Sequence, residues 1–552
     1  VVLLGIANKF VNWWDERLHL KDAPLARVPD YMYSFNYWTG SFVAAALVWQ
    51  VVTGLFLILY YVPSDPYNQT IALIQQVPYG SLLLATHLYG AYAMIFLAYV
   101  HMFRNYFVKA YKKPRELQWM IGVLLLVIVQ GASFLGYAMT GDILATDAVD
   151  VGKGILSNFP GGNLLEPLFF GNGTSLSLFT RLLGYHIILV ALIGLLFGYH
   201  FYLAEMNGFM PSRKKANFKA PAKLEEKDPS LNPWYPRNLL YMVELSFFVF
   251  GFILIIPSIL SILHNVPLLF SPYPSVSPTS PLATTIPAYP PWFFLFLYKV
   301  LDFRPLSPFV VAIIAAIIPV IYFLSVPILD RGEDLHFFKG WVFQAIGVIA
   351  IINFIQTSVW AAVAPGVPVS PAVYIPVLAE PAILIFAGFY LLSKGPTRPG
   401  TLGEQTAKGR KFAFIFLVLL ASILSVIASL SINHLLSTGS VMLIPPALTG
   451  SLVTGVLGVV VIGYGNGGRG VRVIDKRQEN ANPVVFQKRN PKLGLFYGIF
   501  TLLILLAIVL AVTMWTFNPI TQAAFFGIGL GTLLVVLAEM ISIYHYVVYS
   551  RR

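Results

Sequence analysis

Long apolar runs separated by short polar stretches set the pattern of this chain. Runs of about 20 apolar residues, rather than an alternation of period two, predict helices that cross a bilayer and exclude a barrel. Read this way, spans fall near 38–62, 80–108, 117–140, 178–204, 239–263, 307–329, 341–364, 373–393, 411–432, 441–464, 493–516 and 521–548. The stretch before them, 1–37, reads as an amphipathic N-terminal segment with Trp13 and Trp14 at the lipid boundary and no cleavable signal sequence. The predicted fold class is an all-α integral membrane protein with about twelve transmembrane helices.

The polar stretches give the spans a direction. Segments such as "RNYFVKAYKKPRE" and "SRKKANFKAPAKLEEK" are basic, whereas 63–79, 265–298 and 365–372 contain no Lys or Arg. By the positive-inside rule the basic loops and both termini lie in the cytoplasm. That distribution accounts for the net charge of +12 through the membrane surface, and nucleic acid is not an expected partner. Cysteine is absent, which excludes disulfides, thiolate metal sites and covalently attached c-type haem in this chain. Two outer loops, 141–177 and 264–306, are long enough to carry or cover a site.

Histidines inside two spans carry the chemistry. The second span holds His87 and His101 and the fourth holds His186 and His200, fourteen residues apart in each case. Fourteen residues is just under four turns, so each pair shares a helix face with a rise of about 21 Å between its members. Both spans run from outside to inside, so His87 meets His186 at the outer level and His101 meets His200 at the inner level. Polar rings in lipid need partners. Two imidazoles approaching from opposite helices describe the axial ligands of a haem, here stacked twice in a four-helix bundle. A single membrane histidine is more often a hydrogen-bonded core residue; two equal spacings on parallel helices point to iron. His19, His264, His336, His434 and His545 lie near loops or span ends and take the ordinary reading.

Glycines repeat the same period. Gly40 and Gly54 in span one, and Gly122 and Gly136 in span three, are again fourteen apart. Spans one and three run opposite to two and four, so Gly40 and Gly122 fall at the inner level and Gly54 and Gly136 at the outer. Each haem face would then press on a glycine notch, since glycine permits close approach.

The motifs "WWDERL", "VVTGLFLILYYVPS", "HMFRNYF", "KKPRELQWMIGV", "FLGY" and "LFTRLLGYH" follow one another in an order that resembles cytochrome b of the respiratory and photosynthetic cytochrome bc complexes. "YPRNLLYM" and "SPLATTIPAYPPWFFLFLYKVL" then resemble subunit IV of the plastid-type complexes, here fused to the haem domain. The resemblance divides the chain into a di-haem four-helix domain at 38–210, a basic cytoplasmic linker at 211–237, a subunit IV-like quinol-site domain at 238–394 and a four-helix extension at 395–552. The extension has no family counterpart and reads as a scaffold that docks other subunits. The family implies quinol oxidation near the outer surface. One electron goes to a Rieske iron–sulfur protein and the other crosses through two haems to an inner quinone site.

Departures from the family mark the candidate site residues. Where the family has P-E-W-Y, this chain has Pro290-Pro291-Trp292-Phe293, so the carboxylate expected to accept a quinol proton is missing. Asp142, after "FLGYAMTG", is the candidate replacement, weighed equally against a solvated loop carboxylate. Tyr137 and Trp292 are expected to line the quinone pocket. Leu84 stands where an arginine usually holds an outer propionate, so that anchor is lost; the ligands do not set the haem type, and the expected cofactors are two haems, b-type or with an a-type variant at one site. Arg104 and Arg181 are expected near the inner and outer propionates. At the inner quinone site Glu205 replaces a common histidine, with Asn207, Trp234 and Arg237 as expected neighbours.

Two other readings compete with this one. A twelve-helix transporter without redox function would more often show repeated halves and broken helices, which this chain lacks. An oxygen-reducing core would need an adjacent His-His pair, and none occurs. The fusion and the altered quinol loop resemble archaeal cytochrome b proteins, some of which assemble with a terminal oxidase. The expected partners are therefore a Rieske protein, other respiratory-complex subunits, a terminal oxidase and membrane lipid, in a prokaryotic, archaeal plasma membrane.

Overall fold

A computed structural model describes residues 27–211, 231–337, 339–393 and 493–549, with shorter stretches at 9, 11–17, 216 and 218–224. Among the described residues ten helices are long and apolar enough to cross a membrane. They are α1 (Thr39–Leu57), α3 (Gly80–Phe107), α4 (Glu116–Ala138), α7 (Ser175–Asn207), α8 (Leu239–Ile262), α10 (Pro308–Leu329), α11 (Trp341–Val363), α12 (Pro371–Ser393), α13 (Leu493–Met514) and α14 (Ala523–Tyr549). The expected spans at 411–432 and 441–464, and the boundary between 394 and 395, lie outside the described residues. The observed ends differ from the hydropathy reading where helices outrun the apolar stretch. The 33 residues of α7, for instance, rise about 50 Å, beyond a hydrocarbon core of about 30 Å.

The long polar stretches are structured. The segment 63–79 contains α2 (Pro66–Gln76), and 141–177 contains α5 (Ile143–Ser157) and α6 (Gly162–Phe170). The segment 264–306 ends in α9 (Leu295–Leu301). Three helices start on a recognisable signal: Pro66 takes the first turn of α2, the Asp142 carboxylate caps α5 by accepting from the Ala145 N–H at 2.8 Å, and the Thr174 hydroxyl caps α7. A two-residue antiparallel pair, β1 (Val28–Pro29) with β2 (Leu231–Asn232), ties the segment before α1 to the segment before α8.

α1 packs on α3 and α4 on α7, which makes a four-helix bundle. Its centre is filled by Ala45, Ala46, Met94, Ile95, Val129, Ala132 and Ile193, all buried. Met94 lies seven residues from both His87 and His101, Val129 seven from both Gly122 and Gly136, and Ile193 seven from both His186 and His200. The apolar plug therefore fills the halfway level of the bundle and leaves the two histidine levels above and below it.

The described C-terminal helices pack on the core of the chain. α14 runs along α8 at a separation only glycine allows: a Cβ added at Gly531 would come within 2.8 Å of the Gly251 carbonyl, and one at Gly251 within 2.9 Å of the Gly531 carbonyl. The Tyr79 N–H at the start of α3 donates to the Pro519 carbonyl at 2.7 Å. Leu82, Leu254 and Ala523 share one buried cluster, so the extension is continuous with the core of the bundle. α13 packs on α14 at the edge, and no residue of its apolar window is buried.

Candidate functional site

The four spaced glycines each face one of the four spaced histidines. A Cβ on Gly40 would sit 3.1 Å from His101 Cε1, on Gly54 3.2 Å from His87 Cε1, on Gly122 3.0 Å from His200 Cε1, and on Gly136 3.0 Å from His186 Cε1. The assignment of glycines to levels matches the expectation. Each notch receives the Cε1 edge of an imidazole. Glycine is required because carbon–carbon contacts settle at about 3.5–4.0 Å.

Beside each notch stands a group that takes the ring's Nδ1. The His186 Nδ1 is 2.8 Å from the Ala132 carbonyl, four residues before Gly136. A carbonyl only accepts, so Nδ1 carries the proton and Nε2 keeps its lone pair. His200 repeats this on Gln118, four residues before Gly122, at a longer approach that does not close into a hydrogen bond. On α1 a threonine does the work. Thr53 Oγ1 donates to the Trp49 carbonyl at 2.6 Å, so its lone pair accepts from His87 Nδ1 at 2.8 Å. Thr39 Oγ1 is 2.9 Å from His101 Nδ1. Thr39-Gly40 and Thr53-Gly54 repeat at the same fourteen-residue interval, a signal that was present in the sequence and not read.

The pairs also meet across the bundle. The ring centroids of His101 and His200 are 6.4 Å apart. Metal–nitrogen bonds of about 2 Å on each side of one metal would put such centroids about 6 Å apart. His87 and His186 lie within electrostatic reach of each other, so α3 and α7 run in the same direction. Two imidazoles do not satisfy a bare ion, which takes four or more ligands. Among the described residues no three His, Asp or Glu side chains gather to hold one. A macrocycle that brings its own equatorial donors fits this donor set.

Both candidate counter-ions are held by neutral groups. Arg104 donates to Asn36 Oδ1 at 3.2 Å and Asn105 Oδ1 at 2.8 Å, and Arg181 to the Ser177 carbonyl at 3.1 Å and its hydroxyl at 2.5 Å. No carboxylate of the described residues pairs with either guanidinium.

At the His87 level the long loops converge. Tyr137 Oη donates to the Tyr289 carbonyl at 3.2 Å, beside Pro290. Trp292 begins a short turn over 292–294 and packs edge-on against Phe293, with ring centroids 5.5 Å apart. Asp142 is 2% exposed, so the solvated-loop reading fails. Its Oδ1 accepts from Ala145 N at 2.8 Å and Thr140 Oγ1 at 3.2 Å, and its Oδ2 accepts from Ser275 N at 2.6 Å. Burial pushes its carboxyl above the ordinary carboxylate range, against the pull of those donors. Asp142 therefore clamps the two outer loops together. Asp147, not singled out by the sequence, lies further along α5 within electrostatic reach of Tyr137 and Tyr298. Burial first, then the charges of Asp150 and Asp142, push its carboxyl up. No hydrogen bond or ion pair within the described residues occupies its oxygens. An apolar pocket of about 440 Å³ opens alongside, lined by Phe134, Gly152, Phe170, Leu182, Tyr185 and Leu189 among others.

At the other level, Glu205 is half-buried near the end of α7, and Asn207 Nδ2 donates to Gln118 Oε1 at 3.4 Å. Trp234 is half-buried in the turn before α8. Arg237 engages Asp30, the Asn232 Oδ1 at 2.8 Å and the His545 Nε2 at 3.0 Å. His545 is thus a buried, hydrogen-bonded histidine. Sequence reasoning also passed over Arg115, 4% exposed, which donates to the carbonyls of Asn207, Gly208, Phe209 and Ala222 and ties the linker under the bundle. Burial lowers its pKa to about 10.

Helices that cross a membrane, two levels of paired histidines and a notch for every ring define an integral membrane protein of electron transport. Residues 92–278 match the family model described as cytochrome b(N-terminal)/b6/petB. The chain is 35% identical to the cytochrome b of Sulfolobus acidocaldarius, with 97% of each chain covered. It is 32% identical to the menaquinol:cytochrome c reductase cytochrome b subunit of Bacillus subtilis, over 36% of this chain and 97% of that one. A solved structure titled hyperthermophilic respiratory Complex III shares the fold, with a TM-score of 0.53 and 22% identity over 69% of this chain and 98% of that one. The chain belongs to the cytochrome b family. It is a multi-pass membrane protein of that family, which sets the transporter reading aside.

Proposed function

We propose that this chain oxidises quinol and carries electrons across the membrane, with His87 and His186 as the axial pair of one haem and His101 and His200 as that of a second. The observation that carries this reading is the set of four glycine–histidine seats, each within 3.2 Å, at the period of the bundle. Bound there, haem supplies a one-electron relay between the two levels. The chain's own part is to hold each imidazole in one tautomer. Thr39, Thr53 and the Ala132 carbonyl engage the Nδ1 of His101, His87 and His186, which leaves Nε2 as the nitrogen that would take iron, shared on His101 with Asn105 Nδ2 at 3.3 Å. Arg104 and Arg181 offer charge to the acidic edge of the group.

At the outer level the apolar pocket suits the hydrocarbon part of a quinol, and Tyr137 and Trp292, outside its lining, serve the quinone head group. The printed name of the Bacillus subtilis relative supports a quinol as substrate. Asp142 positions the loops, and Asp147, whose oxygens are open, takes the quinol proton. Glu205 serves the inner quinone site. One electron of the quinol passes to a Rieske protein and the other crosses the bundle, and both termini face the cytoplasm of an archaeal cell. The domains divide at 37/38, 210/211, 237/238 and 394/395 as the motifs imply.

Replacing His87 or His186 with Leu in the purified complex tests the reading. One haem signal should vanish and the other remain, and pyridine haemochrome analysis decides between b-type and a-type macrocycles at the surviving and lost levels. Retention of both signals overturns the assignment. Co-purification of an iron–sulfur protein or of a terminal oxidase identifies the electron's exit.

A further inference from the structure

Glu244 of α8 is a carboxylate inside a membrane helix, 4% exposed. Its Oε2 has no hydrogen-bond partner among the described residues. The cationic or donor group nearest to it is His545 of α14, whose Nδ1 lies 3.8 Å away and which is itself 8% exposed. Arg237 Nε donates to His545 Nε2 at 3.0 Å, so that nitrogen keeps a lone pair and the imidazole proton sits on Nδ1, facing Glu244. Arg237 is itself neutralised by Asp30. A negative charge on Glu244 would therefore face a ring whose other nitrogen Arg237 already holds. Such a charge is costly in a low-dielectric interior, and one added proton removes it.

The pair adjoins the His101 level. The rings of His545 and Tyr241 are 5.5 Å apart and those of Tyr241 and Trp38 5.2 Å apart. The residue after Trp38 is Thr39, which bonds His101 Nδ1. The other groups facing the pair are Tyr33 and Asp30 of the N-terminal segment, Arg237 before α8, Tyr241 on α8 and Tyr549 on α14. None of them is a second cation free to neutralise Glu244.

We propose that Glu244 and His545 form a redox-linked proton site: an electron arriving at the His101 level draws one proton onto the pair, and its departure releases that proton. The O–H bond formed is on Glu244, the proton comes from the aqueous phase on the side of the basic loops, and the electron is the one the bundle already carries. This inference rests on His101 and His200 holding a redox group. It also gives the C-terminal extension a part in the chemistry, since α14 supplies the imidazole.

The test uses the purified complex. The midpoint potential of the His101-level haem, followed optically, should fall with rising pH in the native protein. In Glu244→Gln that slope should vanish while the slope of the other haem stays. In His545→Gln it should shift to a different pH range. Redox-triggered infrared difference spectra of the native protein should show a protonated carboxyl band on reduction, lost in Glu244→Gln. An unchanged slope in Glu244→Gln overturns the proposal. So does a native protein without that band, a result that needs no variant to fold. A native protein with no second haem spectrum sinks the di-haem reading instead, and the two failures are told apart by haem content alone.

Discussion

Replacing Gly136 with Ala adds one methyl group at the tightest point of the His186 seat. The new Cβ would stand 3.0 Å from His186 Cε1 and 3.4 Å from its Nδ1. A relaxed contact needs about 3.5–4.0 Å, so the ring must retreat by about half an ångström or more. Retreat stretches the 2.8 Å bond from Nδ1 to the Ala132 carbonyl and turns Nε2 away from His87. Overpacking of this kind costs about 1–3 kcal/mol. Helix propensity opposes it, since alanine in a helix is about 1 kcal/mol better than glycine. The net penalty of about 0–2 kcal/mol leaves the chain able to fold. The ligand geometry bears the rest, and loosening an outer partner of a metal ligand typically lowers affinity about 10–100-fold. The assay is haem content and optical redox titration of Gly136→Ala against native protein. The His87/His186 haem should be depleted or shifted in potential, and the His101/His200 haem should titrate as before. Equal loss at both levels, or no change at either, refutes the idea that each glycine seats one ring.

Thr53→Val keeps the shape and removes the acceptor for His87 Nδ1, so the His87-level haem should weaken about 10–100-fold in affinity while the other level is unaffected, read by haem retention in dilute detergent. Asp147 should become a competent base only as pH rises through its raised pKa. Quinol oxidation should therefore climb with pH in that window, and Asp147→Asn should flatten the limb while Asp147→Glu restores it. Asp142→Asn should leave that limb in place but lower stability by about 1–3 kcal/mol, because it weakens the acceptor shared by Ala145 and Ser275; thermal denaturation of the complex measures it. Gly531→Val should drive α14 off α8, since its side chain would meet the Gly251 carbonyl, and limited proteolysis should then reach the C-terminal helices.

The legible part of this protein is the part governed by helix period. Four histidines and four glycines at an interval of fourteen residues place themselves on helix faces, and the levels they imply are the levels found. What escaped was of two kinds. The Ala132 and Gln118 carbonyls leave no trace in a sequence, because every residue has one. Other partners come from far along the chain: Ser275 binds Asp142 across 133 residues, and Arg237 binds His545 across 308. No local pattern announces such a pair. The two threonines are different, since their adjacency to the spaced glycines was visible and only their role was not.

The plug of Met94, Val129 and Ile193 has a consequence for what can pass through the bundle. A hydrogen ion moves by handing itself along a file of groups able to give and take it, and these side chains offer none. An electron needs no such file and can tunnel through a thin hydrocarbon partition. The plug therefore acts as a one-way filter by particle rather than by direction, and a polar residue introduced there should short-circuit the gradient without touching either pair of rings.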